Sequence, residues 1–490
     1  MADQTHFTKS DHVPHVSHLP LKVPGDVTLA HFMFQGDYLS SKSRDLDVSP
    51  PCLIEEKSGR MINLEELHSR TVALACGLRA EYGIVEGDVV LISSPNHVDY
   101  PVLVWAVHYL RATVTLANPS FTVDELSYHI RLTRPALIIA HSASFQIARL
   151  CAGHPTHRKN IRILSLGTAS NDTLSIDDLI LSQESRVDSS FFESIKPREG
   201  LSERVAALCL SSGTTGLPKV VRITHRSFIT NILQMVIHTR YEGHAIPGLR
   251  PGDIALGLLP FYHAAGLLHF FLCSGLSIVP VEKYDFLRML DAIQRFHITT
   301  LILVPPQAVS LCKHPATRTS GLHSVKHVTV GAAPVPKELH HLLEEVLPQA
   351  HIGQAYGSTE ATCTISMHSS QNGPPGSAGK ILPGIETRVY KEDGSRARAG
   401  ELGELYVKSP SVALGYLNND AANRETFKNG WVRTGDQVFI TEQGDVFIQD
   451  RIKDFIKVKG FQVAPAELEG CILDHPDVAD VCVVGIPDAY

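Results

Sequence analysis

Short apolar runs rich in β-branched residues alternate along this chain with stretches of helical period, and that alternation restricts the fold more than any other feature. Val89 to Ile92 (VVLI) predicts a strand and Val98 to Leu110 a helix with Pro101 in its first turn. Thr113 to Leu116 and Ala136 to Ala140 (ALIIA) predict further strands, and between them Thr122 followed by Glu125 has the pattern of a capping box that starts a helix. The pattern resumes at Val205 to Leu210, Thr299 to Val304 and Val325 to Val330. Strand–helix–strand alternation pairs strands in parallel, so the expected fold is α/β, with mostly parallel sheets covered by helices on both faces.

One core does not grow beyond about 250–300 residues, so a chain of 490 residues is divided. Hydrophobic residues make up 43% and charged residues 19%, which excludes disorder throughout. Lys plus Arg is 44 against 51 Asp plus Glu, a net charge of −7, so there is no basic footprint for nucleic acid or an anionic membrane. The nine cysteines show neither a CxxC pair nor metal-ligand spacing and read as reduced thiols of an intracellular protein. The N-terminal stretch carries His6, His12, His15 and His18 but no signal-peptide pattern, and reads as a loosely held arm. Ile254 to Val281 has no formal charge and is long enough to cross a bilayer. Pro260, Gly266, His269, Ser274 and Pro280 interrupt it, which suits a buried strand, turn, helix and strand and argues against an integral membrane span.

After Gly373 the character changes to short strands and Gly or Asp turns, at Glu386 to Tyr390, Glu404 to Val407 and Val446 to Ile448, the pattern of a small antiparallel barrel. Near Asp450 a charged stretch (DRIKDFIKVKG) opens another unit, whose last expected strand is Val481 to Val484. The expected organisation is an arm (1–30), two doubly wound α/β subdomains (31–210 and 211–375), a β-barrel subdomain (376–450) and an incomplete α+β C-terminal lid (451–490).

The densest chemistry lies in SSGTTGLPK, Ser211 to Lys219, directly after the strand ending at Leu210. Gly213 and Gly216 let backbone N–H groups approach phosphate oxygens, Ser212, Thr214 and Thr215 add hydroxyl donors, and Lys219 adds a cation. It is not a Walker loop, because the glycine spacing differs and Val220 follows the lysine. With this loop the chain resembles the adenylate-forming superfamily, which includes acyl- and aryl-CoA synthetases and 4-coumarate–CoA ligases. Further motifs match in order: LPFYHAAGL (Leu259 to Leu267), VGAAPVPKEL (Val330 to Leu339), GQAYGSTEAT (Gly353 to Thr362), GWVRTGD (Gly430 to Asp436) and RIKDFIKVKGFQVAPAELE (Arg451 to Glu469).

The resemblance implies the following roles. Ser211, Ser212, Gly213, Thr214, Thr215, Gly216 and Lys219 wrap the ATP phosphates. Gly331, Ala332, Ala333, Pro334, Gln354, Ala355, Tyr356 and Gly357 line the nucleotide, with Tyr356 against adenine. Thr359 bonds the α-phosphate and Glu360 holds Mg²⁺, for which a carboxylate is a suitable hard ligand. Asp436 and Arg451 hold the ribose. Phe261, His263, Ala264, Ala265, Gly331 and Gly353 border the acid, pointing to an aromatic or medium-chain apolar substrate. Lys453 is the lid hinge, and Lys457 and Gln462 face the site during thioester formation. The implied catalytic set is therefore Lys219, His263, Thr359, Lys457 and Gln462.

Two departures stand out. Val220 replaces the family's usual glycine and is expected to stiffen the phosphate loop. The family's lid also continues beyond the position of Tyr490 and carries a lysine used in adenylation, so slow adenylation is expected of the chain as it stands. The implied activity is ATP-dependent ligation of a small-molecule carboxylic acid to coenzyme A through an acyl-adenylate. The alternatives are acylation of a carrier protein, and an ATP- and acyl-binding protein with impaired catalysis. The implied compartment is the cytoplasm, or the peroxisome if a targeting tripeptide follows Tyr490.

Overall fold

The computed structural model describes residues 23–35, 51–154, 161–167, 173–183, 186–211, 218–240, 249–263, 265–368, 373–453, 456–458, 461–463 and short pieces from 465 to 486. Two mixed sheets form the body. The first has seven strands in the spatial order Gly415–Tyr416, Lys219–Thr224, Val205–Ser211, Thr113–Ala117, Val89–Ser93, Leu137–His141 and Arg162–Leu166. Its last five strands are mutually parallel, and Lys219–Thr224 runs antiparallel to both of its neighbours, Val205–Ser211 and Gly415–Tyr416. The second has nine strands, from Lys380–Ile381 through Thr364–Met367, His351–Gly357, His327–Gly331, Thr300–Leu303, Ile254–Gly257, Ser277–Pro280 and Leu53–Ile54 to Met61–Ile62.

The sheets interleave along the chain. Leu53–Ile54 precedes every strand of the first sheet yet pairs in parallel with Ser277–Pro280 of the second. The boundary expected at 210/211 falls inside the strand Val205–Ser211, which pairs antiparallel with Lys219–Thr224. A third, curled sheet joins Glu386–Tyr390, Gly403–Lys408, Trp431–Ile440 and Phe427–Lys428, with Val446–Arg451 on Trp431–Ile440, and forms an antiparallel half-barrel. Ile456–Val458 and Phe461–Val463 make a separate two-stranded hairpin.

The largest core contains Leu53, Ile62 and Ile278 of the second sheet, Val90, Ile92 and Val114 of the first, and the helices Leu29–Gln35, Tyr100–Tyr109, His225–Arg240 and Ala265–Cys273 between them. All ten residues of Tyr100–Tyr109 are buried, as expected of a helix with apolar residues on every side. Val123–Thr133 and Phe145–Ala152 cover the outer face of the first sheet. Phe286–Phe296, Pro305–Lys313 and Lys337–Val346 cover that of the second. The uncharged run resolves into Ile254–Gly257, Ala265–Cys273 and Ser277–Pro280, and among the described residues no helix is long and apolar enough to cross a membrane. Thr122 and Glu125 form the expected capping box.

The strand expected at Val481 to Val484 is absent: residues 481–486 join no ladder, and the Val483 N–H donates instead to the Glu469 carboxylate at 2.9 Å. Val220 is the second residue of Lys219–Thr224, 3% exposed and opposite Leu210; the loop it was expected to stiffen lies outside the described residues.

Histidines supply much of the polarity of the helix layer. His269 Nε2 accepts from Trp105 Nε1 at 2.9 Å, His225 Nδ1 accepts from the Leu29 N–H at 3.0 Å, and His108 Nε2 lies 3.1 Å from the Ala206 carbonyl. Burial holds the His108 and His225 rings neutral: His108 is lowered to about 3, and His225 lies well below its usual range. Burial likewise lowers His129, His351 and His368 each to about 4. Because the unfolded chain binds protons at these positions near pH 6.5 and the folded chain does not, their contribution is complete above pH 6.5 and is lost on acidification. Each such histidine costs about 1.4 kcal/mol per pH unit below 6.5 until its folded pKa is reached. The urea midpoint is therefore expected to be flat from pH 8 to 7 and to fall steeply between pH 6.5 and 4, which a denaturation series across that range measures.

Candidate active site

Ends of strands from both sheets meet at Glu360. Val205–Ser211 and Lys219–Thr224 pair with Ser211 opposite Lys219, which holds the two ends of the intervening loop side by side. Helix Val123–Thr133 steadies one end, because the Tyr128 hydroxyl donates to the Pro218 carbonyl at 3.2 Å. From the second sheet, His351–Gly357 runs into the 3₁₀ turn Thr359–Ala361, capped by the Ser358 side chain. Glu360 Oε1 accepts from Ser211 Oγ at 2.8 Å and from the Tyr416 hydroxyl at 2.8 Å. Lys219 Nζ lies 5.0 Å from the centre of the Tyr416 ring, within cation–π range. Burial first, and then the Glu360 anion, push the Tyr416 phenol well above its usual range.

A second group forms at the half-barrel. The Tyr356 hydroxyl donates to Asp436 Oδ2, and Arg451 Nε lies 3.5 Å from Oδ1 of the same carboxylate. Asp436 and Arg451 face each other in the Trp431–Ile440 and Val446–Arg451 pair, and Asp436 is 5% exposed. Desolvation and then the Asp436 anion raise the Tyr356 phenol far above its ordinary pKa of 10.

Gly331 lies beside Ala355 in the parallel pair. A Cβ at Gly331 would meet the Ala355 carbonyl at 3.0 Å, which accounts for glycine there. Ala332 and Ala333 are exposed beyond the strand end, and Ala332 takes the left-handed φ of 74°. Gln354 is buried, and its Nε2 has no hydrogen-bond partner among the described residues.

The His263 loop is held by a residue that sequence reasoning missed. Asn96 Nδ2 donates to the carbonyls of Gly257 at 2.8 Å and Leu259 at 2.9 Å, and Asn96 Oδ1 accepts from the Phe261 N–H at 2.7 Å. Phe261 turns inward onto Tyr100, with ring centroids 5.7 Å apart, and is core, while His263 is exposed. The helix that follows packs so tightly on the Glu360 segment that a Cβ at Gly266 would lie 2.9 Å from Cys363 Sγ. On the other side of Asn96, the ends of Leu53–Ile54, Val89–Ser93, Leu137–His141 and Ser277–Pro280 converge on a polar cavity of ≈ 160 Å³ that includes Lys57, His97, His141 and Glu282.

The structure thus brings Ser211, Lys219 and Glu360 into one group, and Tyr356, Asp436 and Arg451 into another. The stretch from His351 through the Thr359–Ala361 turn, which contains Thr359, supplies both. Lys457 and Gln462 are directly opposite each other in the terminal hairpin, while Lys453 is exposed. Ser212, Gly213, Thr214, Thr215, Gly216 and Ala264 lie outside the described residues, as do the side chains of Ala265, Lys457 and Gln462. Besides Asn96, the missed residues are Tyr416 and Asn423. Asn423 clamps the Tyr416 backbone by accepting its N–H at 2.6 Å and donating to its carbonyl at 2.9 Å. The sequence signal for Asn96 was its place just past the end of a predicted parallel strand, where open α/β sheets bind ligands.

The donor set at Glu360 suits Mg²⁺. It offers oxygen only, and among the described residues no hydrogen bond engages Oε2. No cluster of three or more His, Cys, Asp or Glu side chains that could hold a metal exists among the described residues. Mg²⁺ is usually held by one or two carboxylates, with the remaining positions filled by water and substrate phosphates.

Two mixed sheets with a curled antiparallel half-barrel, and the pair Val205–Ser211 and Lys219–Thr224 set against the Glu360 turn, match the architecture of adenylate-forming enzymes. Residues 48–417 match the family described as AMP-binding enzyme, and the chain belongs to that family. It is 31% identical over 483 residues to 4-coumarate-CoA ligase 1 of Narcissus pseudonarcissus, covering 96% of this chain and 84% of that one. It is 33% identical over 481 residues to 4-coumarate–CoA ligase 2 of Oryza sativa subsp. japonica, covering 94% and 82%. Among solved structures, an anthranilate CoA ligase in complex with anthranoyl-AMP shares the fold with a TM-score of 0.82 at 22% identity, covering 95% of this chain and 86% of that one. ATP-bound MatB from Rhodopseudomonas palustris gives 0.78 at 26% identity, covering 95% and 86%.

Asn96→Ala leaves two carbonyls and one N–H without their partner in a buried setting, which costs about 2–3 kcal/mol. A lowered urea midpoint with an unchanged m-value is the expected result.

Proposed function

We propose that the chain activates a carboxylic acid with ATP as the acyl-adenylate and then transfers the acyl group to the thiol of coenzyme A. The observation that carries this reading is the placement of the Glu360 and Asp436 groups along one stretch, His351 to Ala361, beside the loop ended by Ser211 and Lys219. The identity of 31–33% to 4-coumarate-CoA ligases supports coenzyme A as the acceptor.

In this reading Tyr356 and Asp436 orient the nucleoside, with Asp436 accepting from the ribose hydroxyls and Arg451 keeping its carboxylate aligned. Lys219, the loop hydroxyls and Thr359 stabilise the charge that develops on the α-phosphate as the acid's carboxylate attacks and pyrophosphate leaves. Glu360 would hold Mg²⁺, which when bound neutralises phosphate charge. Positioning supplies the rest of the rate enhancement, and no covalent protein nucleophile is required. His263 and the ends of the neighbouring strands border the acid. Lys457 and Gln462 serve the second half-reaction, in which the thiol attacks the acyl carbonyl and AMP departs.

Mass spectrometry after incubation with Mg·ATP, coenzyme A and a pool of aryl and fatty acids tests this directly. Acyl-CoA formation is expected; acyl-AMP without acyl-CoA would transfer the reading to another acceptor. Asp436→Asn is expected to raise the KM for ATP about ten- to hundredfold, the worth of hydrogen bonds to a charged group. Steady-state kinetics should also show that this variant no longer distinguishes ATP from 2′-deoxy-ATP.

A further inference from the structure

Among the described residues, the Glu360 carboxylate is held by one oxygen only. Ser211 and Tyr416, from two different strands of the first sheet, donate to the same Oε1 at 2.8 Å each, and no described residue bonds Oε2. Such an arrangement fixes the rotation of a carboxylate and turns its second oxygen outward. Tyr416 is itself tightly placed. Asn423 clamps its backbone on both sides, its ring meets Phe427 edge-on with centroids 5.4 Å apart, and it pairs with Val221 two residues beyond Lys219. The face of the same ring carries the Lys219 ammonium at 5.0 Å. One rigid side chain therefore touches both groups that the proposed function assigns to the metal and the phosphates.

We propose that Tyr416 is a positioning residue for the metal-and-phosphate half of the site: its hydroxyl, with Ser211, presents Glu360 Oε2 to the divalent cation, and its ring holds the Lys219 ammonium by a cation–π contact. This rests on the reading of Glu360 as the metal-bearing carboxylate. The consequence is a separation of functions within one side chain. Removing the hydroxyl loosens the carboxylate and leaves the ring under Lys219, whereas removing the ring loosens both.

The test is Mn²⁺ binding, read by electron paramagnetic resonance, to the full chain with α,β-methylene-ATP, a nucleotide whose α–β link cannot be cleaved and which therefore cannot donate its adenylyl group. Tyr416→Phe is expected to raise the Mn²⁺ Kd about five- to twentyfold, with the metal-free Kd for the nucleotide unchanged within twofold. In turnover, the same variant should recover its kcat at saturating Mg²⁺. Tyr416→Leu is expected to weaken metal-free nucleotide binding as well. An unchanged Mn²⁺ Kd in Tyr416→Phe overturns the proposal. So does an equal loss of metal and metal-free nucleotide affinity accompanied by a lower melting temperature, which marks a merely structural residue. If Tyr416→Phe does not fold, Ser211→Ala interrogates the same oxygen, and an unchanged Mn²⁺ Kd there removes the two-donor anchor. Glu360→Gln separates this proposal from the reading beneath it: wild-type Mn²⁺ affinity in that variant would remove Glu360 from the metal site whatever Tyr416 does.

Discussion

The helix Tyr100–Tyr109 has no solvent face, and the architecture follows from that constraint. A helix buried on every side needs a wall on every side, and the two sheets and the neighbouring helices supply them. Polar groups in such a layer must be satisfied internally or stay neutral. Trp105 is paired with His269, and His108 and His225 are kept unprotonated. The same layer ties together strands far apart in sequence, so the ends of strands from both sheets form one rim. Asn96 and Glu360 stand on that rim: each follows a strand of one sheet and bonds to the chain of the other.

Elements with a long enough period were legible in the sequence. The strand Val89–Ser93, the capping box at Thr122 and the strand–helix–strand breakdown of Ile254 to Val281 all emerged from local pattern. The interleaving of the sheets did not, because Leu53–Ile54, Met61–Ile62 and Gly415–Tyr416 are two residues long, and two residues carry no period. The strand Lys219–Thr224 was missed for a related reason: it directly follows Gly-rich sequence, and that composition masked the start of a strand whose burial is set by pairing with Val205–Ser211.

The candidate site divides in the same way. Residues inside dense motifs, such as Tyr356, Glu360 and Asp436, could be singled out because those motifs resemble the family's in order and spacing. Tyr416 and Asn96 could not, since each takes its role from a partner remote in sequence: Glu360 lies 56 positions from Tyr416, and Phe261 lies 165 positions from Asn96. A tyrosine after glycine and an asparagine before histidine are unremarkable as text. Only the pairing of Gly415–Tyr416 with Lys219–Thr224 brings the phenol to the carboxylate.

The turn that carries Glu360 also shows why some residues there tolerate no freedom. Gly357 lies so close to the returning strand that a Cβ would fall 1.6 Å from the Cys363 carbonyl oxygen. The chain must reverse within a few residues, from His351–Gly357 into the antiparallel Thr364–Met367. It does so by placing Thr362 at the left-handed φ of 78°, a costly conformation for a β-branched residue. The Thr362 hydroxyl is compensated by donation to the Ser411 carbonyl, and the Ala413 N–H donates to the Glu360 carbonyl at 2.9 Å. These two bonds attach the reversal to the segment that continues into Gly415–Tyr416. The strain at Thr362 and the placement of Tyr416 are therefore parts of one device: the backbone that forces the tight turn is the backbone that delivers the phenol to the carboxylate at its apex.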